Sequence, residues 1–213
     1  MHPRLIVAFV VLVLAASSCT SRPLDPVRPP MSPVTDVEGW RQAVLSDVGL
    51  STGVPDGWHV QRVDADLKIY RQYALIVSNE PFDVTARSPD HVPTLWDMSG
   101  QPPDLVAVIL GNHPASIPCN KANGASMPYT AAEVRDPSHW ADDFDWQDAG
   151  SLYAYDASFD GQVLGAYLWL GRVASTDDMV RGVAVVTTVR PIDGWHVNCH
   201  DRWRNGWFPR AGS

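Results

Sequence analysis

Lysine is almost missing from this 213-residue chain, with only Lys68 and Lys121 present. Glutamate is as scarce, limited to Glu38, Glu80 and Glu133. Arginine and aspartate therefore carry the charge, which sums to −8 at pH 7. That acidic balance argues against a nucleic-acid partner, because phosphate contacts need clustered basic side chains. No apolar run reaches the roughly 20 residues that a spanning helix requires. The motifs Ser-x-x-Lys and His-Glu-x-x-His are absent, as is a phosphate-binding glycine loop. A triad is defined by geometry, so this weighs only mildly against catalysis. Cysteine is limited to three residues and no Cys-x-x-Cys pair occurs, which argues against dithiol redox chemistry.

The amino terminus is more informative. Arg4 precedes an unbroken apolar run from Leu5 to Ala16, then Ser17, Ser18 and Cys19. A charged start, a short apolar stretch and small residues at a cut have the layout of a secretory signal peptide. The ending Ala16-Ser17-Ser18-Cys19 resembles the lipobox of bacterial lipoproteins, with Ala16 where leucine is usual. The resemblance covers residues 1–19 and implies cleavage before Cys19, acylation of its thiol, and anchoring on the extracytoplasmic face of the cell membrane. The plainer alternative is a secreted protein cut near Ala16 that carries Cys19 as a free thiol. The bias toward Arg, Asp, Ala, Val, Pro and Trp resembles high-GC coding, as in actinobacteria and their phages. Removal of the 18-residue leader takes away Arg4 and leaves a net charge of about −9 on a chain of single-domain length.

The expected organisation is a signal peptide over 1–18, a lipidated cysteine and tether over 19–34, and one domain over 35–213. Pro23, Pro26, Pro29, Pro30 and Pro33 favour polyproline II in the tether. At about 3.1 Å per residue it could hold the domain some 40 Å from the lipid.

The domain reads as α+β, with an N-terminal helix packed on a mainly antiparallel sheet of about five to seven strands. The helix is expected from Thr35. Thr35-Asp36-Val37-Glu38 fits a capping box, and Val37, Trp40, Val44 and Val48 follow at helical spacing before Gly49. Strands are expected at Trp58–Val63, over 67–78, at Leu105–Leu110, and in a terminal meander at 151–158, 162–173, 179–190 and 195–200. Leu105–Leu110 is the central candidate. Asp160-Gly161 signals a hairpin. Residues 81–103 and 111–150 read as long loops, with a short helix started by Asp136-Pro137. Asp56-Gly-Trp-His-Val60 recurs as Asp193-Gly-Trp-His-Val197, most simply as one turn-into-strand solution used twice.

Candidate sites are sparse. With Cys19 acylated, Cys119 and Cys199 remain and are expected to pair in an oxidising compartment. The chain-entropy value for so long a loop is roughly 4.5 kcal/mol. His196 and His200 invite a metal, but on a strand they lie about 13 Å apart, too far for one ion. Asp143 and Asp145 belong to the acidic stretch 142–148, where calcium is an alternative to a solvated turn. Trp203 and Trp207 stand among Arg202 and Arg204, a pattern that suits a sugar or protein surface or, equally, a tail packed on the sheet. No cofactor is expected. These features favour a lipid-anchored binding module at the envelope, with a protein or polysaccharide partner. Surface exclusion by a phage or mobile element falls in the same class. The alternative is an extracytoplasmic hydrolase acting on envelope polymer.

Overall fold

The apolar run from Leu105 to Leu110 sets the architecture. Every residue in it is buried, which requires cover on both faces of its strand. In the computed structural model this strand lies inside a six-stranded antiparallel sheet. The structure describes residues 25–33, 36–46, 49–67, 70–85, 98–112, 129–141, 148–159 and 162–192.

The described elements in chain order are β1 (Arg41–Leu45), β2 (Leu50–Val54), β3 (His59–Leu67), β4 (Tyr70–Ser78), β5 (Val106–Asn112), α1 (Ala131–Val134), β6 (Trp140–Ala141), β7 (Gly150–Phe159), β8 (Gln162–Gly171), α2 (Thr176–Thr187) and β9 (Arg190–Pro191). Strands β3-β4-β5-β8-β7-β6 form the large sheet, and β1-β2-β9 form a second, three-stranded sheet. The class is therefore α+β with antiparallel pairing. The hairpin expected at Asp160-Gly161 is present: β7 and β8 pair from Gly150↔Gly171 to Phe159↔Gln162, leaving a two-residue connection.

Alternation along the central strands separates two cores. Leu75, Val77, Val106, Val108, Leu110, Leu168 and Leu170 face α2 and the three-stranded sheet. Ala74, Ile76, Ala107, Ile109, Leu152 and Trp169 face the other way, where Phe82 and Met98 from the connection between β4 and β5 cover them. That connection is pinned by a buried amide. Gln101 donates to the Asp83 carbonyl at 2.9 Å and accepts from the Asp83 amide at 2.9 Å. Its only described helical piece is a 3-10 turn at Met98–Gly100.

Two expected elements change identity. The N-terminal helix is not formed at residues 41–45, which make strand β1. Ala43 and Leu45 are buried while Val44 between them is 49% exposed, a period of two. A turn precedes it, with Glu38 N–H donating to Asp36 Oδ1 and Gly39 at φ +89°. Every residue of β1 then pairs with β2, from Arg41↔Val54 to Leu45↔Leu50. Thr35 and Val48 lie outside the described residues.

The strand expected over 179–190 is mostly helix α2. Ser175 caps it, accepting from the Asp178 amide at 3.1 Å, with Asp177 and Asp178 favourably placed in the first turn. Val180 and residues 182–186 are all buried, while Thr176 and Asp177 are exposed, so the exposed part of α2 is confined to its first turn. It lies between the large sheet and β2. Gly182 permits the close approach, since a Cβ there would come 2.6 Å from Val106 Cγ1. At the other end Thr188 Oγ1 accepts from Gly53 N–H at 2.9 Å and donates to the Val185 carbonyl at 2.7 Å. The buried Thr52 hydroxyl also donates to Val185, at 3.1 Å.

Candidate functional site: the seat of the N-terminal segment

The residues ahead of β1 are held by side chains from β7, from the end of α1 and from the residue after β8. Part of the proline-rich segment, residues 25–33, lies against the large sheet and α1. Its prolines fix φ and thereby reduce the entropy lost when it is held extended.

Among the described residues, side chains of β7, the end of α1 and the residue after β8 hold it by hydrogen bonds. The Val27 amide donates to Ser151 Oγ at 2.7 Å, and the Tyr153 hydroxyl donates to the Val27 carbonyl at 2.9 Å. Ser151 and Tyr153 are two apart on β7, so they share a face and grip one residue by both its backbone groups. Arg172, just beyond β8, donates to the Asp25 carbonyl at 2.7 Å. Arg135, at the end of α1, donates to the Ser32 carbonyl. Val27 packs against the core on the α2 side, and Pro29 is buried.

Two residues beyond Tyr153, on the same face of β7, Tyr155 belongs to an aromatic pair. The rings of Tyr129 and Tyr155 meet at 5.6 Å between centroids with a 55° tilt, and the Tyr155 hydroxyl donates to the Val134 carbonyl at 2.7 Å. That bond secures α1, whose capping box is Thr130 with Glu133. The Glu133 amide donates to Thr130 Oγ1 and the Thr130 amide donates to Glu133 Oε2 at 2.6 Å. Next comes a 3-10 turn at Pro137–His139, N-capped by Asp136, in the place where Asp136-Pro137 signalled a short helix. Burial pushes the Tyr153 hydroxyl up to about 12 from its ordinary 10.0, against a smaller pull from Arg28. Burial raises Tyr155 further, with Tyr153 and Tyr129 adding to the effect. Both phenols therefore stay protonated at neutral pH and act as hydrogen-bond donors. The arrangement is built to hold backbone; its guanidinium and phenol groups donate and its carbonyls accept.

The sites expected from sequence fall elsewhere. Cys19, Cys119, Cys199, Asp143, Asp145, His196, His200, Arg202, Trp203, Arg204 and Trp207 all lie outside the described residues. The second copy of Asp-Gly-Trp-His-Val does too. The first copy is a turn into β3: Gly57 has φ +79°, Trp58 N–H donates to the Pro55 carbonyl at 3.2 Å, and the Trp58 ring is buried. Its role is packing. Among the described residues no group of three or more His, Cys, Asp or Glu side chains stands close enough to hold a metal ion. No described helix is long and apolar enough to cross a membrane. The seat itself was missed in the sequence, where Ser151 and Tyr153 read only as strand residues and Arg135 and Arg172 carried no signal.

Compared with known proteins, the chain matches no family model, no curated protein and no solved structure.

Proposed function

We propose that the protein is a lipoprotein anchored through Cys19 on the extracytoplasmic face of the cell membrane, and that its domain binds another envelope component. One observation carries this reading. A short apolar run ends in Ala16-Ser17-Ser18-Cys19, and six positions later the chain is already seated on a folded domain. A cysteine placed between an apolar leader and a folded domain is where an acyl anchor is of use. A free thiol there would be a liability outside the cell. The partner is an envelope protein or polysaccharide, met in part by the Trp203 and Trp207 tail with Arg202 and Arg204. The Cys119–Cys199 disulfide belongs to the same reading.

Fatty-acid labelling of the wild type beside Cys19→Ser, with intact mass under non-reducing conditions, tests it. Label should be present in the wild type and lost in the variant. The mass should be that of the acylated mature chain less two hydrogens for the disulfide. A wild type that takes no label would sink the anchor. A Trp203→Ala, Trp207→Ala double variant that captures the same partners from cross-linked envelope would remove the tail from the binding surface.

A further inference from the structure

We infer that the domain stands end-on at the bilayer, with the end of the large sheet where β7 begins and β8 ends toward the headgroups and the β3–β4 and β7–β8 hairpins presented outward. This placement rests on the acylation of Cys19 proposed above.

The argument starts from where the chain enters. Asp25 is held by Arg172, one residue past the last residue of β8. Val27 is held by Ser151 and Tyr153 near the start of β7. Ser32 is held by Arg135 at the end of α1. The segment thus comes in at one end of the sheet and runs inward along it. Six residue steps separate Cys19 from Asp25, which span at most about 22 Å whatever their conformation. That bound is roughly half of the 40 Å reach that residues 20–33 would have as a free tether.

The sheet itself is longer than that span. From Gly171 to Gln162, β8 advances nine residue steps, about 30 Å at 3.3 Å each. Both hairpins project at the far end. Ala74 of β4 aligns with Gly111 of β5, which aligns with Gly165 of β8. The β3–β4 ladder continues beyond that row to Leu67↔Tyr70, and the β7–β8 ladder to Phe159↔Gln162. A lipid at Cys19 therefore holds the Arg172 end within about 22 Å of the headgroups, while the hairpin tips lie some 30 Å further along the strands. The occupant of the near end is the membrane surface.

The test uses the acylated full-length mature protein in phosphatidylcholine vesicles that carry an energy-transfer acceptor on a fraction of the headgroups. A donor dye is attached through a genetically encoded azide, either at Val173, which is 65% exposed beside Arg172, or at Gln162 at the start of β8. Transfer from position 173 should be roughly twofold higher or more, given a 30 Å difference in depth. Equal or reversed transfer in protein of verified acylated mass overturns the placement alone. Protein that lacks the acyl mass overturns the anchor, and the placement falls with it. A Gly-Ser insertion of about twelve residues after Leu24 lengthens the span without altering the seat, and should erase most of the difference. A difference unchanged by the insertion overturns the claim that the short span sets the orientation.

Discussion

Tyr153→Phe isolates the grip on the N-terminal segment. The ring is 1% exposed and stays in place as phenylalanine, so the change removes only the hydroxyl that donates to the Val27 carbonyl at 2.9 Å. A neutral hydrogen bond of this kind contributes about 1 kcal/mol net. The half-buried Val27 carbonyl can recover water when the bond is lost, which keeps the cost near that figure rather than above it. One kcal/mol corresponds to about a fivefold change in an equilibrium. Amide exchange at Val27, whose N–H is held by Ser151, should therefore quicken about fivefold if release of the segment is what exposes it. Ser151→Ala removes the second bond to the same residue. The two changes share one partner, so the double variant should depart from additivity by about 0.5 kcal/mol or more. The amide of Val108, in the middle of β5, serves as the reference for global opening. The reasoning is refuted if Val27 already exchanges at the free-chain rate in the wild type, or if Tyr153→Phe leaves its rate unchanged.

Three other outcomes are expected. Stability should fall at alkaline pH. A phenol that ionises at 10.0 in the unfolded chain and at about 12 when folded has its full stabilising effect below pH 10 and loses it as pH rises to about 12. Urea midpoints followed across that range should decline in the wild type and decline less in Tyr153→Phe; equal slopes would contradict the assignment. Gly182→Ala gains about 1 kcal/mol of helix propensity. It also sets a methyl 2.6 Å from Val106 Cγ1 and 3.0 Å from Leu168 Cδ1, both in the closed core, where overpacking costs about 1–3 kcal/mol. Net destabilisation in urea unfolding is expected, and a raised midpoint would show that the sheet yields. Gln101→Ala breaks the paired bonds to Asp83 and should cost about 1–2 kcal/mol, with faster exchange at the Asp83 amide; an unmoved midpoint would mean that the amide clamp is dispensable.

Much of the large sheet was legible because its signals are local. Leu105–Leu110 is apolar without a break, and a strand needs such a run only when both faces are covered. Asp160-Gly161 brackets two strands with a two-residue connection, and that alone sets the β7–β8 register. The two misread elements have the opposite character. The stretch around Trp40 and Val44 fits a helical stripe on paper, but the partner that decides it, β2, pairs with it residue by residue, which spacing within β1 does not reveal. In α2 the residues Val180, Val183, Val185 and Val186 favour a strand by their branched side chains. Ser175-Thr-Asp-Asp178 serves equally as a turn or as a helix cap.

The amino-acid order by itself determined the buried strand β5 and the hairpin at 160–161. Each of these is a run or a spacing within a few residues, and its chemistry acts locally. Only the tertiary structure decided that α2 is a helix, that residues 41–45 are a strand, and that residues 25–33 are seated on the domain. The last of these depends on Ser151, Tyr153, Arg135 and Arg172, which stand more than a hundred positions away from the backbone groups they hold. Proline can keep a segment extended from within its own sequence, but a hydrogen bond to that segment exists only once β7, β8 and α1 have folded beside it.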